Sequence, residues 1–225
     1  MTITKWLAEA DPSLTIHSEG EWSGMVGSDQ WSAFNDGGIE CETGEFLYGL
    51  IRLIKPDNVL ETGTHKGIGG CYMAKALEDN NKGRLTTIEF LPELFAEALQ
   101  RFETVGLTER IQKIQGDVRE YEPTHDFDII LLDTEPDLRY AELVKFYNNL
   151  KPGGFIFIHD LHRHMSQTVV QGDRPFGWPF GPIPDSVKEK VKNMQLRPFH
   201  FTTPRGFTGF YKEHEGDYKW PILEN

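Results

Sequence analysis

Between residues 42 and 160 two kinds of apolar pattern alternate. One has helical spacing: Phe46, Leu47, Leu50, Ile51, Leu53 and Ile54 form a single stripe over 42–55. Glu42 and Glu45 sit at the positive end of that helix dipole, and Pro56 ends it. The other kind is short and continuous, as in DIILLD and GFIFIH, which suits strands covered on both faces. In order, the pattern predicts a strand at 59–60, a helix through 71–77, a strand over 85–88 and a helix over 92–105. Strands over 111–115 and 129–132, a helix over 138–150 and a strand over 155–158 follow. Gly106 closes one helix, and LKPGG at 150–154 separates another from its strand. The prediction is an α/β, doubly wound domain with a mostly parallel sheet.

The flanks are less regular. A short helix over 3–10 precedes 19–38, rich in Gly, Ser and Trp and without period. We expect residues 1–40 to form a cap or lid over a domain spanning 41–225, with Trp22, Trp31 or Phe34 as its candidate aromatics. Residues 172–184, GDRPFGWPFGPIP, predict a long ordered loop without a strand or helix of its own. Its Phe176, Trp178 and Phe180 are candidates for one wall of a small-molecule pocket. A helix over 185–194 and an antiparallel hairpin from 199–202 and 206–212 complete the chain.

Composition narrows the partners. At 225 residues and 25.8 kDa the chain fits one domain with a small appendage. A net charge of -12 and a pI near 5.1 argue against nucleic acid, whose binding needs clustered Lys and Arg. Cys41 and Cys71 offer no disulfide or metal spacing and fit a reducing compartment. The N-terminus lacks the pattern of a signal peptide, and no stretch approaches the roughly 20 apolar residues of a membrane span. The expectation is a cytoplasmic protein acting on a small molecule, away from membranes, with a homodimer compatible.

The chemistry gathers at NVLETGTHKGIGG, residues 58–70. Strand, glycine turn and helix follow one another, with Gly63, Gly67, Gly69 and Gly70 freeing the backbone. The helix behind the turn offers unpaired N–H groups, so a nucleotide-like cofactor is the natural occupant. The spacing is E-x-G-x-x-x-G, not the dinucleotide G-x-G-x-x-G. Ligands of open parallel sheets bind beyond the carboxyl ends of the strands. There the sequence puts an acid each time: Glu61, Glu89, Asp117, Asp133 and Asp160. Glu89 can accept hydrogen bonds from two ribose hydroxyls or cap the helix behind it. Asp117 can accept from an adenine amine with Val118 covering the ring, or be a turn aspartate. Glu61 would lie near the amino end of a zwitterionic cofactor. His159, His162 and His164 cluster beside Asp160, and histidine titrates near neutrality; His162 is the first candidate for a general base, and Glu135 is a further one.

VLETGTHKG, the acid in TIEF, IQKIQGDV, FDIILLD and LKPGGFIFIHD together resemble the class I S-adenosylmethionine-dependent methyltransferases, with their Rossmann-like fold. The helix at 42–55 and the TERI turn are most similar to the O-methyltransferase branch of catechol and caffeoyl-CoA enzymes. That resemblance implies S-adenosylmethionine held by Glu61, Gly63, Thr64, Gly67, Glu89, Phe90, Asp117, Val118 and Asp133. It implies methyl transfer to oxygen of a phenol, sugar or secondary metabolite, with Asp133 and Asp160 at the reacting end beside the candidate base His162. Metal-dependent members of the branch would match Asp133 and Asp160 but carry Asn where this chain has Leu161, and a lysine base where it reads DTEPD. A divalent cation such as Mg²⁺ is therefore an open question. Two alternatives stand beside the enzyme: a non-catalytic cofactor-binding scaffold and a nicotinamide-dependent oxidoreductase.

Overall fold

The structure, a computed structural model, describes residues 2–18, 31–35, 38–135, 138–160, 169–171, 174–176, 193–201, 203 and 206–214. Its centre is a seven-stranded sheet. The strands are β3 (Asn58–Thr62), β4 (Arg84–Glu89), β5 (Ile111–Gln115), β6 (Phe127–Leu132), β7 (Leu150–His159), β10 (Leu196–Phe201) and β11 (Phe207–Lys212), in the order β10-β11-β7-β6-β3-β4-β5. From β7 to β5 neighbours pair in parallel, and β11 runs antiparallel to both β7 and β10. The order reverses direction between β3 and β6, the place where an open sheet splays its strand ends into a crevice.

Alternation along the central strands explains why both faces are covered. Val59, Ile129, Leu131 and Phe157 point into one apolar cluster, and Leu60, Ile130, Leu132, Ile156 and Ile158 into the other. The first cluster packs against helices α1 (Ile3–Ala10), α2 (Cys41–Ile54), α3 (Ile68–Asp79) and α4 (Pro92–Thr104). The second meets α5 (Arg139–Phe146) through Tyr140, Leu143 and Phe146. Side chains so buried contribute about 1.5–3 kcal/mol each. Helices α2 and α3 approach closely because Gly44 faces the Tyr72 ring, where an added Cβ would come within 2.5 Å. Helix α2 stops at Lys55, left-handed at φ 53, just before Pro56, since a residue preceding proline is driven out of the helical region.

Three expectations need correction. Helix α5 ends at Phe146 in a 3-10 turn over Tyr147–Asn149, and β7 begins at Leu150, not at 155. The cause is a register shift: Leu150 pairs with Phe127 but Phe155 with Ile129, so KPGG is spent inside the strand pair. Residues 172–184 are not without a strand, because β9 (Arg174–Phe176) pairs antiparallel with β8 (Val169–Gln171). β-Branched valines before Gly172-Asp173 carry that signal. In the N-terminal segment β1 (Ile16–Ser18) pairs with β2 (Ser32–Phe34), and Phe34 is a fully buried core residue, not a lid aromatic. Trp22, His162, His164, Trp178, Phe180 and the helix over 185–194 lie outside the described residues, except for positions 193 and 194 of that helix, which form no helix.

Candidate active site

The turn between β3 and α3 is shaped by what packs against it. Gly63 (φ +81) and Gly67 (φ +85) are left-handed, and Gly67 opens α3 without a side-chain cap. A Cβ on Gly63 would fall 2.2 Å from the Asp133 carbonyl oxygen, and one on Gly67 would meet the Phe102 ring at 3.0 Å. The bare α-carbons thus bring β3, β6 and α4 together around the turn. Gly69 and Gly70 leave room for the Glu61 carboxyl, whose Oε1 lies 2.5 Å from the point a Gly69 Cβ would occupy.

Glu61 is buried under α3 and its Oε2 accepts from Thr87 Oγ1 at 2.6 Å. Thr64 Oγ1 is 2.5 Å from the same Thr87 oxygen, extending the chain of hydroxyls from Glu61. Burial, reinforced by the charges of Asp133 and Glu89, pushes the Glu61 carboxyl up to about 8 against that hydrogen bond, so it holds a proton at neutral pH. Glu89 has a different environment. Its Oε2 accepts from the His65 backbone N–H at 2.7 Å and its Oε1 from that of Leu91 at 2.9 Å. One carboxylate therefore ties the glycine turn to the start of α4. Phe90 beside it is 60% exposed, and Val118 is buried. Asp117, at the outer strand end, accepts from the Arg119 backbone and guanidinium at 2.8 and 2.9 Å, which lowers it to about 2.

The most concentrated charge lies where β6 and β7 end. His159 is fully buried; its Nδ1 is 3.0 Å from Asp133 Oδ1 and 3.6 Å from Asp160 Oδ1. Its Nε2 is 2.8 Å from Oε2 of Glu40, itself fully buried at the threshold of α2. Arg139, the first residue of α5, reaches Asp133 Oδ1 at 3.1 Å and Asp160 Oδ2 at 3.2 Å. Asp160 is left-handed (φ 57), a conformation aspartate tolerates better than most. Behind Asp133, Glu142 accepts from Thr134 Oγ1 at 2.8 Å and Thr62 Oγ1 at 3.3 Å, and burial pushes it up to about 7.

The chain has known relatives. Residues 60–161 match a family described as a methyltransferase domain. A catechol O-methyltransferase of Niastella koreensis is 30% identical over 152 residues, which are 61% of this chain and 67% of that protein. The chain belongs to the class I S-adenosylmethionine-dependent O-methyltransferases. A putative O-methyltransferase of Mycobacterium sp. (strain JLS) is 29% identical over 55% of this chain and 57% of its own length. Among solved structures, the O-methyltransferase TomG of Streptomyces achromogenes, involved in tomaymycin synthesis and crystallised with S-adenosylmethionine, shares the fold. Its TM-score is 0.60 at 18% identity, covering 79% of this chain and 82% of that one.

In this methyltransferase the predicted residues fall in two groups. Glu61, Gly63, Thr64, Gly67, Glu89 and Asp133 converge where β3, β4 and β6 end, linked by Gly63 N–H to Ile88 O and Asp133 N–H to Thr62 O, both 2.9 Å. Asp117 and Val118 lie one strand further out, joined through Gly116 N–H to Glu89 O at 2.8 Å. Donor atoms of Asp133, His159 and Asp160 lie within 4.8 Å of one another, yet they do not fit Mg²⁺, which wants near-octahedral oxygen. One donor is an imidazole, and a guanidinium already pairs with both carboxylates. Sequence reasoning missed Glu40 and Arg139. Arg139 did carry a signal: a cation at a helix N-terminus opposes the dipole unless acids surround it. No helix among the described residues is long and apolar enough to cross a membrane.

Proposed function

We propose that the chain methylates an oxygen of a small-molecule acceptor, of the phenol, sugar or secondary-metabolite kind, with residues 1–40 and 161–184 selecting that acceptor. The observation that carries the reading is the convergence of a glycine turn, Glu89 and the Asp133–Asp160 pair on one end of a parallel sheet. When bound, S-adenosylmethionine supplies an electrophilic methyl group carried on a positively charged sulfur. Glu89, held by two backbone amides, keeps its remaining lone pairs for ribose hydroxyls. Transfer of that methyl to the acceptor oxygen would leave the oxygen's proton to be taken by a base. His162 is that base in our assignment. Asp133 and Asp160 orient the acceptor hydroxyl, and Glu135 is the alternative proton acceptor.

Calorimetric titration with S-adenosylhomocysteine tests the cofactor, with micromolar saturable binding expected and no response to NAD. Release of S-adenosylhomocysteine across a panel of catechols and other hydroxylated acceptors tests the transfer. His162→Ala and Glu135→Gln then separate the two bases: the true one costs roughly 10²–10⁴-fold in turnover while cofactor affinity holds. Absence of cofactor binding would end the reading. Binding without transfer to any acceptor would leave the scaffold alternative.

A further inference from the structure

Asp133 and Asp160 close two adjacent strands, and the resemblance drawn from the sequence leaves open whether a divalent ion lies between them. The structure has a different cation there. We propose that Arg139 is the resident cation of this site: its guanidinium stands in for a divalent metal between Asp133 and Asp160, and the chain holds this carboxylate pair without binding one.

Geometry is the first argument. All three guanidinium nitrogens are engaged. Nε donates to Thr134 O at 2.6 Å, Nη1 to His159 O and to Asp160 Oδ2, the latter at 3.2 Å, and Nη2 faces Asp133 Oδ1 at 3.1 Å. The fork thus spans the ends of β6 and β7, as a bridging ion would, while its planar shape suits carboxylates. Burial is the second. The Arg139 side chain is 4% exposed, and arginine is almost never buried unless paired. Position is the third, since Arg139 opens α5, where the helix dipole repels a cation. The two acids and the Thr134 and His159 carbonyls make that placement favourable, and an ion added beside them would meet the guanidinium's charge.

The rest of the site agrees. His159 Nδ1 also faces Asp133, and Nε2 faces Glu40, so each ring nitrogen already faces a carboxylate. Leu161, where metal-dependent relatives would place an asparagine, offers no ligand atom.

The test is calorimetry of the chelator-treated full chain with MgCl₂, MnCl₂ and ZnCl₂, in the wild type, Asp133→Asn and Arg139→Gln. It needs no methyl transfer, so it stands apart from the reading above, which S-adenosylhomocysteine binding decides. Wild type is expected to show no saturable site up to millimolar metal beyond heats that Asp133→Asn leaves unchanged, those being the acidic surface. S-adenosylhomocysteine affinity should stay within about twofold between EDTA and Mg²⁺. Arg139→Gln, if folded, should gain a saturable Mn²⁺ site that Asp133→Asn removes; if it does not fold, the wild-type titrations decide alone. A saturable wild-type site for any of the three metals that Asp133→Asn abolishes, or a folded Arg139→Gln that gains none, would overturn the proposal.

Discussion

Replacing Gly63 by alanine tests whether the glycine turn is shaped by the sheet beneath it. Two costs add. The residue is left-handed at φ +81, which charges any L side chain about 1–2 kcal/mol. The new methyl would also lie 2.2 Å from the Asp133 carbonyl oxygen and 2.6 Å from its carbon. These are backbone atoms fixed in the β3–β6 pairing, so relief requires the strand end to move, an overpacking cost of about 1–3 kcal/mol. Gly106→Ala is the control, since Gly106 is also left-handed at φ +74 but has nothing within 4 Å of the added carbon. Both alanines restrict the unfolded chain equally, so that contribution cancels in the comparison. Urea unfolding should place Gly63→Ala roughly 1–3 kcal/mol below Gly106→Ala, or about 2–12 °C lower in Tm. Because Asp133 is pushed, S-adenosylhomocysteine affinity should fall in Gly63→Ala only. Equal losses within about 0.5 kcal/mol would refute the collision and with it the close approach of the turn to β6.

Three further outcomes follow from groups around the turn. Glu61 is raised to about 8 from 4.5, so the folded chain keeps a proton the unfolded one releases and stability falls as pH rises from about 4.5 to 8. Glu61→Gln should match wild type near pH 5 and exceed it by a few kcal/mol near pH 8, read from urea midpoints at both pH values. Glu89→Ala removes the acceptor of two backbone N–H groups; at about 1.5–3 kcal/mol for such a bond, S-adenosylhomocysteine should bind at least tenfold more weakly by calorimetry. Arg101, 6% exposed, pairs with Asp11 at 3.0 Å and also donates to Lys66 O, strapping the N-terminal segment to the glycine turn. Arg101→Met should cost about 3–5 kcal/mol in urea unfolding.

The parallel core was legible because it is buried on both faces. Continuous runs such as IILL in β6 have one explanation in a single domain, and helix bounds followed from Pro56, Pro92 and Gly106. The strand-terminal acids were legible for the same reason, since an open sheet presents its carboxyl ends at one edge. What each acid touches was not legible. Glu40 and His159 are 119 residues apart yet 2.8 Å from each other, and no local pattern announces a pair made by tertiary packing. Gly63 was read as room for a ligand, and only coordinates reveal the Asp133 carbonyl behind it. Strand β9 was hidden by proline and glycine, which mark loops by frequency although a short strand can hold Pro175.

So many acids at one edge need an account of their charge, because like charges at such distances cannot all persist in a protein interior. The structure meets the problem in four ways. Glu61 and Glu142 are pushed up by burial, to about 8 and about 7, so their charge is reduced near neutrality. Glu89 is held by backbone amides, which stabilise a carboxylate without adding net charge. Asp117 takes its neighbour Arg119. Asp133 and Asp160 share Arg139, with His159 reaching Asp133 from below. The division has a functional logic: groups that pack the turn give up their charge, whereas those facing the crevice keep it. Asp133, Asp160 and Glu89 at that edge outnumber the one guanidinium of Arg139 that pairs with two of them. A cofactor whose reacting sulfur is positive finds there a field that favours its entry and weakens its hold once the methyl, and the charge, have left.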